Sequence, residues 1–295
     1  MGRETKAWVP ITAGWGSSKT AEGWAGDMGR NWLANLDRLE GMIDPIGALA
    51  LARADFQPGE RVIDVGCGGG GTSLAIARAV APEGHVTGVD ISSDLILSCG
   101  ARATLSGLQN VSFVCADAGA APINGAPFDR LFSRFGSMFF AEPKGAFRNL
   151  RGQVRDGGRI DLAVWAAPPE NPWMQLMQQA LKDLLPAPDG RPDPRAPGPF
   201  AFADTAWLGE VLAHAGFAEM DVAPCLRDLP VGGPGASAQD AATFVLSAMH
   251  IGNQVAPDRM PEAQARLAAA FAPHHVAGQG VMLAGKALLV SAVAA

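Results

Sequence analysis

The chain has 295 residues, 48% of them hydrophobic and 18% charged, the balance of an ordinary folded protein with enough apolar material for a substantial core. Its formal net charge is −6 and it holds no basic run, which argues against DNA or RNA as a partner. No apolar stretch reaches the roughly 18 residues of a membrane span, and the first 20 residues lack the apolar core of a signal peptide. The four cysteines (Cys67, Cys99, Cys115, Cys225) show no zinc-type spacing and read as reduced and mostly structural, so a cytoplasmic location is expected.

Residues 1–20, with Trp8 and Trp15, show no period and read as an arm. Trp24, Met28, Trp32, Leu36 and Leu39 then fall at spacings of four and three, one apolar face of a helix over about 21–40. Asp44-Pro45 predicts the cap and first turn of a second helix ending near Ala54. Trp24 and Trp32 either pack these helices together or line a cavity beneath them.

The run from Arg61 to Val65 is β-branched and apolar, breaks at Gly66-Cys67-Gly68-Gly69-Gly70-Gly71, and continues as an alanine-rich helical pattern to Val80. That is strand, tight turn, helix. Bare glycine backbone lets a ligand approach closely, and the helix start offers free N–H groups. The next strand, His85 to Asp90, ends in an acid; Ser92 caps the helix after it. A third strand, Val111 to Cys115, is followed by Asp117. Strands and helices alternating at this pace predict parallel βαβ units, whose ligands lie at the carboxyl ends of the strands. Phe128 to Ser133 is a fourth strand running into Arg134-Phe135-Gly136-Ser137-Met138, and Gly158 to Trp165 a fifth.

Asn171-Pro172 opens a helix that ends in a proline-rich excursion over 186–199, read as a surface loop or lid. Asp204 caps a helix closed by Gly216. A sixth strand lies around Ala218–Leu226. Ser237 and Asp240 open a helix with Met249 and His250 near its end, another spans about Pro261–Ala272, and Val281–Val293 is the last strand. Of the five histidines, His85 and His214 read as structural and the adjacent His274 and His275 lack metal-ligand spacing. Candidate bases are few, since tyrosine is absent; of the histidines, His250 is the candidate to touch substrate. No metal site is expected.

The glycine turn admits two cofactors. Gly66-x-Gly68-x-x-Gly71, with Asp90 beyond it, formally fits a dinucleotide fingerprint. Asp64, two residues before the first glycine, would sit close to a pyrophosphate and is unhelpful there; it suits a cofactor carrying an ammonium group. The run Asp64-x-Gly66-x-Gly68-x-Gly70 resembles the first motif of class I S-adenosylmethionine-dependent methyltransferases. The resemblance is specific over Pro58–Trp165. It implies a Rossmann-like, doubly wound α/β fold: a mostly parallel seven-stranded sheet with an antiparallel last strand and a helical cap. The division expected is a cap over residues 1–54 and a core over 55–295, with lid or cap insertions at about 168–202 and 231–279.

The resemblance also implies site residues. Asp64, Gly66, Cys67, Gly68, Asp90, Ile91, Asp117, Ala118 and Ser133 would bind S-adenosylmethionine, with Asp90 on the ribose, Asp117 on the adenine amino group and Asp64 and Ser133 at the methionine end. Trp24, Trp32, Phe135, Met138, Trp165 and Trp173 would border the acceptor. Arg134 is either a partner in this region or a helix-end carboxylate partner. The Asn/Asp-Pro-Pro-aromatic signature frequent in branches that modify nucleic acid and protein is absent, so a small, mostly apolar or aromatic acceptor is expected, with oxygen before carbon. The alternatives are an NAD-dependent oxidoreductase and a donor-binding relative without transfer activity.

Overall fold

The computed structural model describes residues 21–186 and 193–295. The arm over 1–20 and most of the tip of the proline-rich excursion lie outside the described residues. Parallel β1 (Arg61–Val65), β2 (His85–Asp90) and β3 (Val111–Cys115) run outward to one edge; β4 (Phe128–Arg134) and β5 (Val154–Trp165) continue the sheet the other way. The order is β3-β2-β1-β4-β5-β8-β6, with β6 at Phe217–Val231 and β8 at Gly280–Ala294. β8 is antiparallel to both neighbours, which fits the expected sheet. An eighth strand, the two-residue β7 (His275–Val276), pairs with β8 and adds to the seven anticipated.

The strands form because their apolar residues alternate into helices on both sides; Val62, Ile63, Val86, Val89, Leu131, Phe132, Ile160 and Val164 have no exposed surface. On one face pack α3 (Leu36–Ala54) and α4 (Gly71–Val80), and α5 (Ser93–Leu105) covers β2 and β3. α6 (Pro143–Arg151) and α8 (Thr205–Ala215) pack together against β5 and β6. The caps read from sequence are formed: Ser92 accepts from Leu95 N–H, Asp204 from Ala206 and Trp207, and Ser237 from Asp240, while Gly216 closes α8 at φ 96°.

One boundary is corrected. The N-terminal residues form α1 (Ala21–Ala25), α2 (Asp27–Ala34) and a 19-residue α3 that runs straight through Pro45. Asp44 is therefore not a cap. The break falls at Asn35 instead, and burial of Met42, Ile43, Ile46 and Ala50 along one side of α3 outweighs the hydrogen bond that Pro45 removes.

Above the carboxyl ends of the strands, α2 is tied to α9 (Ala238–Ala248) by Asn31 Nδ2 donating to the Ala248 carbonyl at 2.7 Å. α9 packs on α10 (Met260–Phe271), and α10 on α7 (Pro172–Leu181). Three separated segments thus form one roof.

Candidate active site

The glycine turn is pinned before it meets any ligand. Gly66 and Cys67 donate to the Val89 carbonyl at 2.8 and 3.1 Å, which fastens the end of β1 to β2. Gly66, Gly68 and Gly70 have φ of 68°, 56° and 81°, the left-handed region that glycine enters without a side-chain clash. A Cβ on Gly66 would also stand 2.7 Å from the Gly136 Cα, so the turns after β1 and β4 meet through bare backbone. That approach is accompanied by φ +60° at Phe135, unusual for a bulky residue, which lays its ring on Trp165 with centroids 4.4 Å apart and planes 11° from parallel.

Asp90 is the electrostatic centre of the turn. Its Oδ2 accepts from Gly68 N–H at 2.9 Å and its Oδ1 from Ser92 N–H at 3.0 Å. Burial pushes its carboxyl above the ordinary 3.8, against these two hydrogen bonds. Asp117, beyond β3, accepts from Gly119 N–H at 2.8 Å.

A large cavity opens over these strand ends. Gly66, Gly68, Asp90, Ile91, Asp117 and Ala118 line its floor, and Trp24, Trp32, Phe135, Met138, Trp165 and Trp173 line its walls, with His250 beside them. Trp24 meets Phe139 edge-on at 4.9 Å and Trp32 at 6.0 Å, while Trp165 lies 5.5 Å from Trp173. Met28, Phe139, Phe140, Met174 and Met177 also line the cavity and were not singled out from sequence. The spacing of four that joins Trp24, Met28 and Trp32, and Trp173 to Met177, is the signal that could have found two of them, Met28 and Met177.

Three of the sequence-derived residues do not reach this cavity. Asp64 is wholly buried behind the turn, where its Oδ2 accepts from Thr72 Oγ1 at 2.7 Å and Ser73 Oγ at 2.6 Å, holding the first turn of α4. Its Oδ1 has no partner among the described residues, and burial raises its pKa from 3.8. Ser133 Oγ donates to the Val65 carbonyl at 2.8 Å and accepts from Ser137 N–H at 3.1 Å, so the hydroxyl joins β4 to β1 rather than facing a ligand. Cys67 is buried beside Cys99, whose Sγ donates to the Gly68 carbonyl at 3.1 Å; the neighbouring Cys99 side chain and burial push the Cys67 thiol well above its ordinary 9.0. All three support the turn from behind.

The polar atoms facing the roof side are few. Trp173 Nε1 is satisfied by Asn171 Oδ1 at 3.1 Å, a residue that also accepts from Lys286 N–H at 2.8 Å. Trp24 Nε1 and His250 Nε2 are buried with no hydrogen-bond partner among the described residues. His250 follows α9 at φ 56°, a left-handed turn that ends the helix and brings the imidazole to the cavity.

A glycine cradle flanked by acids at the ends of β2 and β3 is what a nucleoside-bearing ligand requires, and among the described residues no group of three or more His, Cys, Asp or Glu is placed to hold a metal. A family model described as a methyltransferase domain matches residues 56–182, from before β1 into α7. The chain belongs to the class I S-adenosylmethionine-dependent methyltransferases, and S-adenosylmethionine is its cofactor. Among its relatives, aklanonic acid methyltransferase of Streptomyces sp. is 31% identical over 150 residues, 48% of this chain and 67% of that one. Nocamycin O-methyltransferase of Saccharothrix syringae is 28% identical over 258 residues, 82% of this chain and 91% of that one. An uncharacterized protein of Mycobacterium tuberculosis is 31% identical over 150 residues, and the chain spans about half of it, 53%. In fold, the chain is similar to the YcgJ protein of a Bacillus, with TM-score 0.51 at 18% identity over 85% of this chain and 97% of that one. It is likewise similar to a phosphoethanolamine N-methyltransferase of Haemonchus contortus, with TM-score 0.53 at 13% identity over 97% of this chain and 60% of that one.

Proposed function

We propose that the chain methylates an oxygen of a small apolar or aromatic molecule held under the roof. The observation that carries this reading is the cavity itself: aromatic and methionine walls continuous with the glycine turn, and two buried ring nitrogens, Trp24 Nε1 and His250 Nε2, without partners among the described residues. The names of the two relatives, one an aklanonic acid methyltransferase and the other an O-methyltransferase for nocamycin, support a small acceptor that offers oxygen.

Bound S-adenosylmethionine supplies a methyl carbon already activated by its sulfonium. The chain's own contribution is to position and to exclude water. Gly66 and Gly68 offer backbone at close range, Asp90 the free lone pairs of its two oxygens for vicinal hydroxyls, and Asp117, Ile91 and Ala118 the border of the base. Phe135 stacks on Trp165, with Trp173 tilted against it, and a flat acceptor lies along these rings. Holding two reactants in line is worth effective molarities of roughly 10⁵–10⁸ M, so a sharp donor motif without a catalytic triad is chemically sufficient. His250 Nε2 receives the acceptor's hydroxyl proton, the role its unpartnered nitrogen supports.

Residues 1–54, together with the insertions at about 168–202 and 231–279, we assign as the acceptor-binding cap on the methyltransferase core; α2, α7, α9 and α10 are the parts of it that form the roof. Four unpaired cysteines support action in the cytoplasm. No described helix is long and apolar enough to cross a membrane, and the net charge of −6 disfavours nucleic acid. The test is transfer of labelled methyl from S-adenosylmethionine to a panel of phenols, carboxylic acids and quinone-like compounds, with RNA and a protein mixture alongside. Label appearing only in RNA or protein would overturn the reading.

A further inference from the structure

Asn171 opens α7 yet its side chain does not cap it. An asparagine at a helix start ordinarily accepts from an N–H of the first turn through its side chain. Here no such bond forms, and only the Asn171 backbone carbonyl engages the helix, accepting from Met174 and Gln175 N–H at 3.0 and 3.1 Å. The amide is turned inward instead, and the residue has no exposed surface. Its Nδ2 donates to the carbonyls of Ala166 and Ala167 at 3.0 and 3.3 Å, just past the end of β5. Its Oδ1 accepts from Lys286 N–H of β8 at 2.8 Å and from Trp173 Nε1 at 3.1 Å. Two donors and two lone pairs are the whole capacity of a primary amide, and all four are engaged. The indole can only donate and the two carbonyls can only accept, so the amide has one orientation. Serine, aspartate or leucine at this position would each leave a buried partner unsatisfied.

The ring that this amide holds belongs to the cavity wall. Trp173 lines the cavity and is buried. Beside its Nε1, the neighbouring Cδ1 lies against β8 at Gly285, where a Cβ would stand 3.3 Å from it. With the five-membered edge held by Asn171 and by β8, the six-membered ring is the part left to border the cavity. The indole lies 5.5 Å from Trp165 at 49° to it, and Trp165 is stacked on Phe135. Trp165 ends a strand and is placed by the sheet. Trp173 stands at the start of a roof helix, where one hydrogen bond sets the direction of its ring. We propose that Asn171 is a positioning residue for the methyl acceptor: it locks Trp173 in the orientation that continues the wall of Phe135 and Trp165, and so sets the width of the slot offered to a flat ring system. This also accounts for a capping side chain that does not cap. The assignment rests on the acceptor reading of this cavity given above.

Fluorine resonance and calorimetry test it together. Wild-type protein, Asn171→Ser, Trp173→Phe and the double variant are labelled with 5-fluorotryptophan, whose fluorine sits on the six-membered ring. The line missing from Trp173→Phe belongs to Trp173; it should be single and sharp in the wild type, and broadened or split in Asn171→Ser. Each protein is titrated with S-adenosylhomocysteine and then, saturated with it, with 1-naphthol, a flat two-ring phenol. If the released ring holds its wall position about a tenth of the time, 1-naphthol should bind Asn171→Ser about tenfold more weakly than wild type. Affinity for S-adenosylhomocysteine should stay within about twofold. In the Trp173→Phe background the same substitution should change 1-naphthol affinity by less than about twofold, because the bond it removes is already gone. An unchanged Trp173 line in Asn171→Ser refutes the proposal. So does a loss of 1-naphthol affinity equal in both backgrounds, or an equal weakening of both ligands, since either would mean a general loosening of the β5–β8 junction. If Asn171→Ser does not fold, Asn171→Asp takes its place, because it keeps an oxygen for the indole and for Lys286 N–H. It should retain the wild-type Trp173 line and 1-naphthol affinity, and loss of both refutes the role. A wild type that binds S-adenosylhomocysteine but not 1-naphthol refutes the acceptor reading itself, a separate failure on which the fluorine line does not depend.

Discussion

Replacing Asp90 with alanine should damage the empty protein and the complex together, by amounts that can be read from its hydrogen bonds. A carboxylate offers about four lone-pair sites. Gly68 N–H at 2.9 Å occupies one on Oδ2 and Ser92 N–H at 3.0 Å one on Oδ1, which leaves one on each oxygen facing the cavity. Hydrogen bonds to a charged acceptor are worth about 1.5–3 kcal/mol each. Losing the two to backbone would cost about 3–6 kcal/mol, offset in part because the removed group was itself penalised by burial. We expect a net loss of about 2–4 kcal/mol in urea unfolding of the ligand-free protein. The two cavity-facing lone pairs set the second effect, a donor affinity lower by about one to two powers of ten. Asp90→Asn, which retains one carbonyl oxygen, should fall between the wild type and Asp90→Ala in both measurements. A ligand-free Asp90→Ala protein within about 0.5 kcal/mol of wild type would refute the claim that this carboxylate holds the turn. An unchanged dissociation constant would remove it from the site. Asp90 accepts from two backbone amides while lining the cavity, so one side chain serves both the turn and the site.

Gly66→Ala forces a Cβ into a left-handed residue 2.7 Å from the Gly136 backbone and should destabilise by more than about 2 kcal/mol, whereas Gly100→Ala, in open space on α5, should gain about 0.5–1 kcal/mol; urea unfolding of both checks the contrast. The folded-state pKa of Asp64 lies above its ordinary 3.8, so the folded protein holds this proton more tightly than the unfolded chain. Stability should therefore fall as pH rises from about 3.8 through the folded-state value, and Asp64→Asn should lack that portion of the fall. Identical pH profiles of unfolding free energy for the two proteins would contradict it. His250→Ala should lower kcat by about 10²-fold or more while leaving donor affinity unchanged in calorimetry; equal kcat in both proteins would exclude proton transfer at His250.

Much of the donor side was legible because its signals are local. An apolar strand running into glycines or an acid declares a strand end, and Gly66, Gly68, Asp90, Ile91, Asp117 and Ala118 all reach the cavity. Asp64 and Ser133 lie in the same motifs yet face away, because a motif fixes position along a strand while the side-chain direction depends on what the following turn needs: hydroxyls from Thr72 and Ser73 in one case, the β1–β4 junction in the other. Pro45 misled for a similar reason, since local capping chemistry was outweighed by the burial of α3. The acceptor side was less legible. That Trp24 Nε1 has no partner among the described residues while Trp173 Nε1 has Asn171, itself held by Lys286, follows from where α2 meets α9 and where Asn171 meets β8, contacts between distant parts of the chain.

The assembly of the roof from separated segments has a consequence for how this protein can change. The donor floor from Gly66 to Ala118 is encoded in one uninterrupted stretch, inside the 56–182 match to the methyltransferase domain. The facing walls are drawn from Trp24 to Trp32 before that match, from Phe135 to Phe140 and Trp165 to Met177 within it, and from Met249 to Ile251 far beyond it. Inheritance can therefore act on the two halves of the reaction at different rates. On the proposed assignment, substitutions among the wall residues would remodel which molecule is accepted while the nucleoside cradle stays intact, so that lineages could diverge in acceptor without passing through an ancestor unable to hold its methyl donor.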